Sequence, residues 1–414
     1  MTGLDSLITD ALAAPATLDT PLPATPLHAV PGVSVGVANG SVKKPGRTQP
    51  DVVVVATDAP ASFAAVTTTS TAAAASCLWT RARVPALRRA VVVNSGNANA
   101  ATGRQGVQDN LAMAAAVAEQ LGCVPDDVLV CSTGVIGVPL PMERLAPALT
   151  VAAHDAAHRV PPASSPARAI CTTDTRTKGA GVTVGGVTVA GMAKGSGMIH
   201  PNMATMLGFI ATDAKVAPEH LQALLEAVAD RTFHQISVDG DMSTNDTVVL
   251  LASGVGPWVE PGGPGWSDLV TGVSLVARQL AREIARDGEG ARTLLTVTVE
   301  GGPDDAAARA WSRAVVSSSL FKAAVHGKDP NWGRIVGALG AAGAIGLDAL
   351  DVDLGGVAVM REGAPVPFDE PTASAAMAEP ELCVTLRLPG DGHGVAWGCD
   401  LSAEYVSINA DYRS

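Results

Sequence analysis

Aromatic residues are scarce in this 414-residue chain, at 3 % of the total, while hydrophobic residues as a whole reach 47 % and glycine alone counts 43. A core with so few large rings must be filled by small and branched side chains, which suits closely packed α/β layers and excludes a fibrous or disordered chain. Basic residues are in deficit, 28 against 40 acidic ones, for a formal charge of −12. No Lys/Arg cluster exceeds the short R-A-R-V-P-A-L-R-R segment ending at Arg89, so nucleic-acid binding is not expected. Apolar runs such as 52–56 and 90–93 are strand-sized and far short of a bilayer span. Residues 1–30 lack a basic start followed by an unbroken apolar stretch, and the expected compartment is the cytoplasm. The six cysteines (Cys77, Cys123, Cys131, Cys171, Cys383 and Cys399) show no C-x-x-C spacing, and the eight histidines no H-E-x-x-H or H-x-H. Neither a disulfide frame nor a metal site is expected, and the cysteines read as small buried side chains.

The length admits one or two domains with a large core. Residues 1–30, rich in Ala, Pro and Thr, read as a loosely ordered extension. From Asp51 strand-like runs (52–57, 90–94, 127–131) alternate with helical ones, the clearest being 109–121, stopped by Gly122. Strand-like alternation continues over 182–189. Pro218 opens a helix over 218–231 with Leu221, Leu224, Leu225 and Val228 on one face. A strand at 248–251 precedes a linker candidate at 261–265, a helix over 267–286, a strand over 294–299 and a helix near Ala306. The implied architecture is a layered α/β core.

The chemistry concentrates in residues 194–213, K-G-S-G-M-I-H-P-N-M-A-T-M-L-G-F-I-A-T-D. Gly195, Gly197, Pro201 and Asn202 demand a sharp bend, and Met206, Leu207, Phe209 and Ile210 then read as a short buried strand. Thr205 therefore stands between a constrained turn and a packed core. A threonine hydroxyl becomes nucleophilic when a base stands beside it, and an N-terminal threonine carries such a base in its own amine. For Thr205 this requires cleavage after Ala204. An isolated A-T pair is far more often a buried threonine beginning a strand.

Two further segments end strands in Gly/Ser/Thr-rich loops: N-S-G-N-A-N-A-A-T-G over 94–103 and C-S-T-G-V-I-G over 131–137. Either one alone reads equally well as a simple turn. A Thr-Gly pair such as Thr133-Gly134 can nevertheless aim a hydroxyl and a backbone N–H at a developing oxyanion, as acyl transfer requires. The S-V-D-G-D-M-S-T-N-D-T segment over 237–247 lacks the spacing of a calcium loop and reads as a polar loop entering a strand.

The whole of 194–213 resembles the processing site of the ornithine acetyltransferases, also called glutamate N-acetyltransferases, of arginine biosynthesis. The same resemblance covers S-T-G-V-I-G, N-S-G-N-A-N-A-x-T-G (with Ala101 where many relatives carry cysteine), T-T-D at 172–174, D-G-E-G at 287–290, D-P-N-W-G-R at 329–334 and the closing Y-V-S-I-N-A-D-Y-R-S. It runs from about Asp51 to Ser414 and is poor before Asp51, where 35–43 matches only loosely. It implies an αββα sandwich, with two sheets packed face to face between helices, and self-cleavage into residues 1–204 and 205–414. Thr205 then carries an acetyl group from N-acetylornithine to glutamate. It further implies Thr133 and Gly134 as the oxyanion hole, Thr172 or Thr173, Lys194, Glu289 and Asn409 as substrate contacts, and Ser414 in place of a threonine. The D-P-N-W-G-R loop is expected to be architecture near the site, and 405–414 to alternate like a strand. No cofactor is implied, acetyl-CoA stays open as a second donor, and the cleaved pairs are expected to form a heterotetramer. Competing readings are a self-cleaving aminopeptidase or amidohydrolase of similar fold, a related acyltransferase of a specialised pathway, and an uncleaved binding protein.

Overall fold

The structure, a computed structural model, describes residues 3–13, 20–200 and 206–411. The first part of the chain runs α1 (Gly3–Ala13), β1 (Val33–Ala38), β2 (Val52–Thr67), α2 (Ala75–Arg81), β3 (Ala86–Asn97), α3 (Gly103–Leu121), β4 (Val128–Val135), α4 (Met142–Ala157) and α5 (Pro166–Ala169). It continues through β5 (Lys178–Val184), β6 (Val187–Lys194), β7 (Leu207–Thr212), α6 (Pro218–Arg231), β8 (Ile236–Ser237), β9 (Thr247–Ala252) and α7 (Trp266–Arg286). The remainder runs β10 (Leu294–Gly302), α8 (Asp305–Ser317), α9 (Ser319–Gly327), α10 (Trp332–Ala341), β11 (Asp351–Leu354) and β12 (Val357–Arg361). It closes with β13 (Ala364–Pro365), α11 (Glu370–Met377), β14 (Glu381–Gly390), β15 (His393–Cys399) and α12 (Ala403–Asp411).

The expected αββα sandwich is present, and its two β layers are halves of a single sheet. That sheet has the order β4-β3-β2-β9-β7-β6-β5, with β1 also on β2. β2 belongs to both halves: Val52 to Ala56 pair with β3 and β1, while Ser62 to Thr67 pair with β9. Between them the register shifts, and Asp58, Ala59 and Pro60 are exposed; Pro60 lacks the N–H that a continuous ladder needs, and the strand bends there. Strand alternation then sorts the side chains into three apolar layers. Val52, Val54, Val92 and Val130 pack under α3 and α4. Val53, Val55, Val91, Phe63, Phe209 and Leu251 fill the space between the β layers. Val189, Ile210, Val248 and Leu250 meet α6 and α7. Each large side chain buried here contributes roughly 1.5–3 kcal/mol.

Closeness of the layers accounts for the abundant glycine and alanine. A Cβ on Gly36 would lie 1.8 Å from the Ala152 carbonyl of α4, and one on Gly272 of α7 would lie 2.9 Å from Val189. A second, 7-stranded sheet, ordered β13-β12-β11-β14-β10-β15-β8, carries α8 to α11 on a separate core with Trp311, Phe321 and Leu386. Helix α7 lies against both β6 and β15, joining the two sheets.

Several local expectations are revised. The alternation over 182–189 is a hairpin, β5 and β6, turned by Gly185 and Gly186, both at positive φ as a two-residue turn requires. Residues 261–265 are a turn within the first core and not a linker, because α7 packs straight back on β5 and β6. The N-terminal extension contains α1, whose Ile8 is buried against α6 and α7; Leu4, Ile8 and Leu12 keep helical spacing inside an Ala- and Thr-rich composition. Residues 405–411 are helical, within α12, and not a strand. Two β-branched residues at even spacing are too few to fix a strand, whereas a helix brings Tyr405 and Asn409 to the same face.

Candidate active site

The ends of β4 and β6, which lie in opposite layers of the sandwich, frame a cavity. Its lining includes Thr133 and Gly134, Thr172 and Thr173, Lys194, Gly197, Asn245, Glu289 and Asn409. Seven of these were expected site residues, drawn from five separate segments. Gly134 has φ +136°, and a Cβ there would fall 2.2 Å from the Gly96 carbonyl carbon, so no other residue lets the ends of β3 and β4 approach in this way.

Lys194, the last residue of β6, is 2 % exposed, and its Nζ donates to Thr133 Oγ1 at 3.3 Å. Among the described residues no carboxylate lies within ion-pair distance of it. Thr172 and Thr173 sit in the loop before β5; Thr173 Oγ1 and Ser196 Oγ share a 2.7 Å hydrogen bond. Asp174 braces this wall, accepting from Lys178 Nζ at 2.7 Å and from the Gly195 N–H at 2.6 Å. Burial alone would raise the Asp174 carboxyl; Lys194 and Lys178 outweigh it and hold the group at about 2.

Glu289 follows α7 and is held by its N–H, which donates to the Ser196 carbonyl at 2.9 Å. A Cβ on Gly197 would lie 2.3 Å from Glu289 Oε2, so the G-S-G sequence leaves room for that carboxylate. Asn409 of α12 reaches across and donates to Glu289 Oε2 at 2.9 Å. The cavity thus presents one buried ammonium, one carboxylate and several hydroxyls, a set matched to a small zwitterion.

Ala204, Thr205 and Ser414 lie outside the described residues, as do Pro201 and Asn202. The neighbours of that segment are well anchored. Met198 and Ile199 donate their N–H groups to Asp239 at 2.5 and 2.7 Å, and Met206 donates its own to Asp246 Oδ1 at 3.0 Å. Burial raises both aspartates, Asp246 well above the ordinary carboxylate range. Asn245, which lines the cavity beside Asp246, was missed in the sequence, where 237–247 reads as a polar loop. The available signal was a polar S-T-N-D set directly against the apolar β9, since polar residues beside a buried strand need buried partners. The D-P-N-W-G-R segment does not line the cavity; it leads into α10, whose Ile335 and Leu339 pack on the second sheet's core.

Among the described residues no three His, Cys, Asp or Glu side chains converge to hold a metal, and no helix is long and apolar enough to cross a membrane. The cysteines are free thiols, with Cys383 exposed and Cys123 half-buried.

An αββα sandwich with a polar cavity at the meeting of its β layers, walled by a Thr-Gly strand end and a buried lysine, defines a layered α/β enzyme equipped for acyl chemistry. Comparison with known proteins then places it: the chain belongs to the ArgJ family, whose model matches residues 34–414. The arginine biosynthesis bifunctional protein ArgJ of Symbiobacterium thermophilum is 46 % identical over 386 residues, covering 91 % of this chain and 96 % of that protein. The protein of the same name from Thermus thermophilus is 47 % identical over 389 residues, covering 92 % and 98 %. A crystal structure of arginine biosynthesis bifunctional protein argJ from Bacillus halodurans aligns with 49 % of this chain and 98 % of its own, at 40 % identity and a TM-score of 0.48.

Proposed function

We propose that the protein cuts itself between Ala204 and Thr205 and uses the freed Thr205 to carry an acetyl group from N-acetylornithine to glutamate, releasing ornithine and N-acetylglutamate. It is an acetyltransferase of arginine biosynthesis, of the ornithine acetyltransferase type. The observation that carries the detailed reading is the convergence of Thr133, Gly134, Thr172, Thr173, Lys194, Glu289 and Asn409 on one cavity, with Lys194 paired to Leu207 at the start of β7.

In this mechanism the Thr205 hydroxyl attacks the acetyl carbonyl while the Thr205 amine, with an ordinary pKa of about 7.7–8, accepts its proton. The Thr133 hydroxyl and the Gly134 N–H face the tetrahedral oxyanion. Collapse breaks the amide bond, the proton passes to the departing ornithine amine, and acetyl-threonine remains for the amine of glutamate to attack. Lys194 matches the α-carboxylate that donor and acceptor share, and Glu289 matches the side-chain ammonium of ornithine. Ser414 adds a hydroxyl. The route needs no cofactor, because a side chain holds the acetyl group. The two fragments are proposed to stay together in the cytoplasm as a heterotetramer, acting on small molecules and not on nucleic acid.

Intact mass tests the first step. Wild type should give fragments 1–204 and 205–414, and Thr205→Ala a full-length chain; cleavage of the mutant at the same bond would remove Thr205 from processing. N-acetylornithine alone should then add one acetyl to the fragment starting at Thr205, and glutamate should discharge it with parallel double-reciprocal lines. Intersecting lines with no acetylated fragment would mean direct transfer. Ornithine release without acetylglutamate would mean a hydrolase.

A further inference from the structure

The segment between β8 and β9 touches both halves of the chemistry. Asn245, 4 % exposed, donates through Nδ2 to the Ala98 carbonyl at 2.6 Å and to the Ser132 carbonyl at 2.9 Å. The Ser132 carbonyl belongs to the same planar peptide as the Thr133 N–H, so fixing that oxygen fixes the orientation of the peptide that enters the Thr133-Gly134 turn. Ala98 follows the end of β3, the strand against which Gly134 packs. One amide group therefore ties together the two strand ends that form the oxyanion wall.

The next residue does the equivalent job on the other side. Asp246 is wholly buried, and its Oδ1 accepts the N–H of Met206 at 3.0 Å. Met206 directly follows the proposed nucleophile in the chain, so Asp246 anchors the backbone at the entry to β7. The Asp246 Oδ2 has no hydrogen-bond partner among the described residues. Burial pushes this carboxyl well above its ordinary range, and the Met206 N–H is among the groups that offset that cost. The backbone supports the same geometry, since the Thr247 N–H donates to the Met206 carbonyl at 3.1 Å.

We propose that Asn245 and Asp246 are paired positioning residues that set the separation between the proposed oxyanion donors and Met206, the residue that follows the proposed nucleophile. Neither reacts with substrate. Being adjacent on one chain at the start of β9, they make the spacing of two strand ends from different layers depend on one short, rigid stretch of backbone. The inference rests on the acyl-transfer reading of the cavity and adds to it the device that holds its two halves in register.

The test uses the full-length protein and four variants. Asn245→Ala removes both donated hydrogen bonds, and Asn245→Asp keeps the shape while replacing the donor with a carboxyl. A misplacement of about 1 Å costs roughly 100-fold, so kcat for acetyl transfer should fall by about that factor in Asn245→Ala with KM for N-acetylornithine within about twofold. In Asn245→Asp only the protonated carboxyl can donate, so kcat should decline with rising pH where wild type does not. Asp246→Leu should slow both self-cleavage and transfer, and Asp246→Asn, which keeps an acceptor for the Met206 N–H, should recover most of both. Intact kcat in the Asn245 variants, or equal impairment in Asp246→Asn and Asp246→Leu, would overturn the proposal. Should Asn245→Ala fail to fold, Asn245→Asp and the Asp246 pair still decide it. Wild type without acetyl transfer would instead remove the reading beneath it, and the two failures are therefore distinct.

Discussion

Lys178 and Lys194 are both almost completely buried, on adjacent strands of one hairpin, and they are provided for in opposite ways. The Lys178 Nζ lies 2.7 Å from Asp174 and 2.6 Å from Asp287, and those two carboxylates raise its pKa against the pull of burial. Its charge is fully answered inside the protein. Among the described residues the Lys194 Nζ has one hydrogen-bond partner, the Thr133 hydroxyl, and it opens onto the cavity. A buried ammonium kept without an adjacent carboxylate is costly. The difference is one of contact: Lys178 is enclosed by two touching carboxylates, while Lys194 acts on Asp174 from beyond contact distance and opens onto the cavity.

The largest way to break this comparison is Lys178→Met, which strands Asp174 and Asp287 in the interior. A loss of about 3–5 kcal/mol in unfolding free energy is expected from denaturant titration. A change below about 1 kcal/mol would mean the triad is not structural. Next is Thr133→Ala, which removes both a proposed oxyanion donor and the hydroxyl partner of Lys194. It should lower kcat by about 100- to 1,000-fold, roughly 2.7–4 kcal/mol, in a protein that still folds and self-cleaves; near-normal turnover would take Thr133 out of the mechanism.

Lys194→Met sharpens the contrast, because it should lower thermal stability less than Lys178→Met does: Asp174 loses a nearby cation but keeps Lys178 in contact at 2.7 Å. Removing a charge-assisted contact to substrate costs about 1.5–3 kcal/mol, so kcat/KM should drop roughly 10- to 150-fold. Equal destabilisation by the Lys178 and Lys194 replacements would erase the distinction between them.

The smallest effect is a pH dependence. Asp174 is held at about 2 in the folded protein, below its ordinary value of 3.8. Its contribution to stability is therefore complete above about pH 4 and is lost as pH falls toward 2, a matter of about 2 kcal/mol. Acid titration of Asp174→Asn should lack that component.

Much of this was readable from the sequence. Helix α6 begins and ends at the residues its proline and apolar spacing predict, and α3 stops at Gly122, which takes the left-handed cap. The cavity residues carried recognisable motifs. What could not be read were relations across the sequence. Nothing local says that Lys178 touches two carboxylates while Lys194, among the described residues, touches none, since Asp287 is distant in the chain. The two sheet halves joined through β2 depend on a bend at Pro60 that looks like any edge proline. Asn245 carries no catalytic signature, and its importance lies in two carbonyls more than a hundred positions away. Helix α12 was mistaken because a short run of alternating residues fits both periods.

The strand order has a mechanical consequence. Strands β9 and β7 come after residue 205, and in the sheet they lie between β2 on one side and β6 on the other, both of which come before residue 204. The proposed cut between 204 and 205 would therefore divide the chain without dividing the object: one piece would stay clasped inside the other along two ladders of hydrogen bonds. Such pieces cannot slide apart unless the sheet is torn open on both flanks. The order of events follows, since a clasp of this kind closes only while its parts are still one thread. Under the proposed self-cleavage, folding would come first and scission second, and separately made halves would have to interleave their strands to regain the same shape.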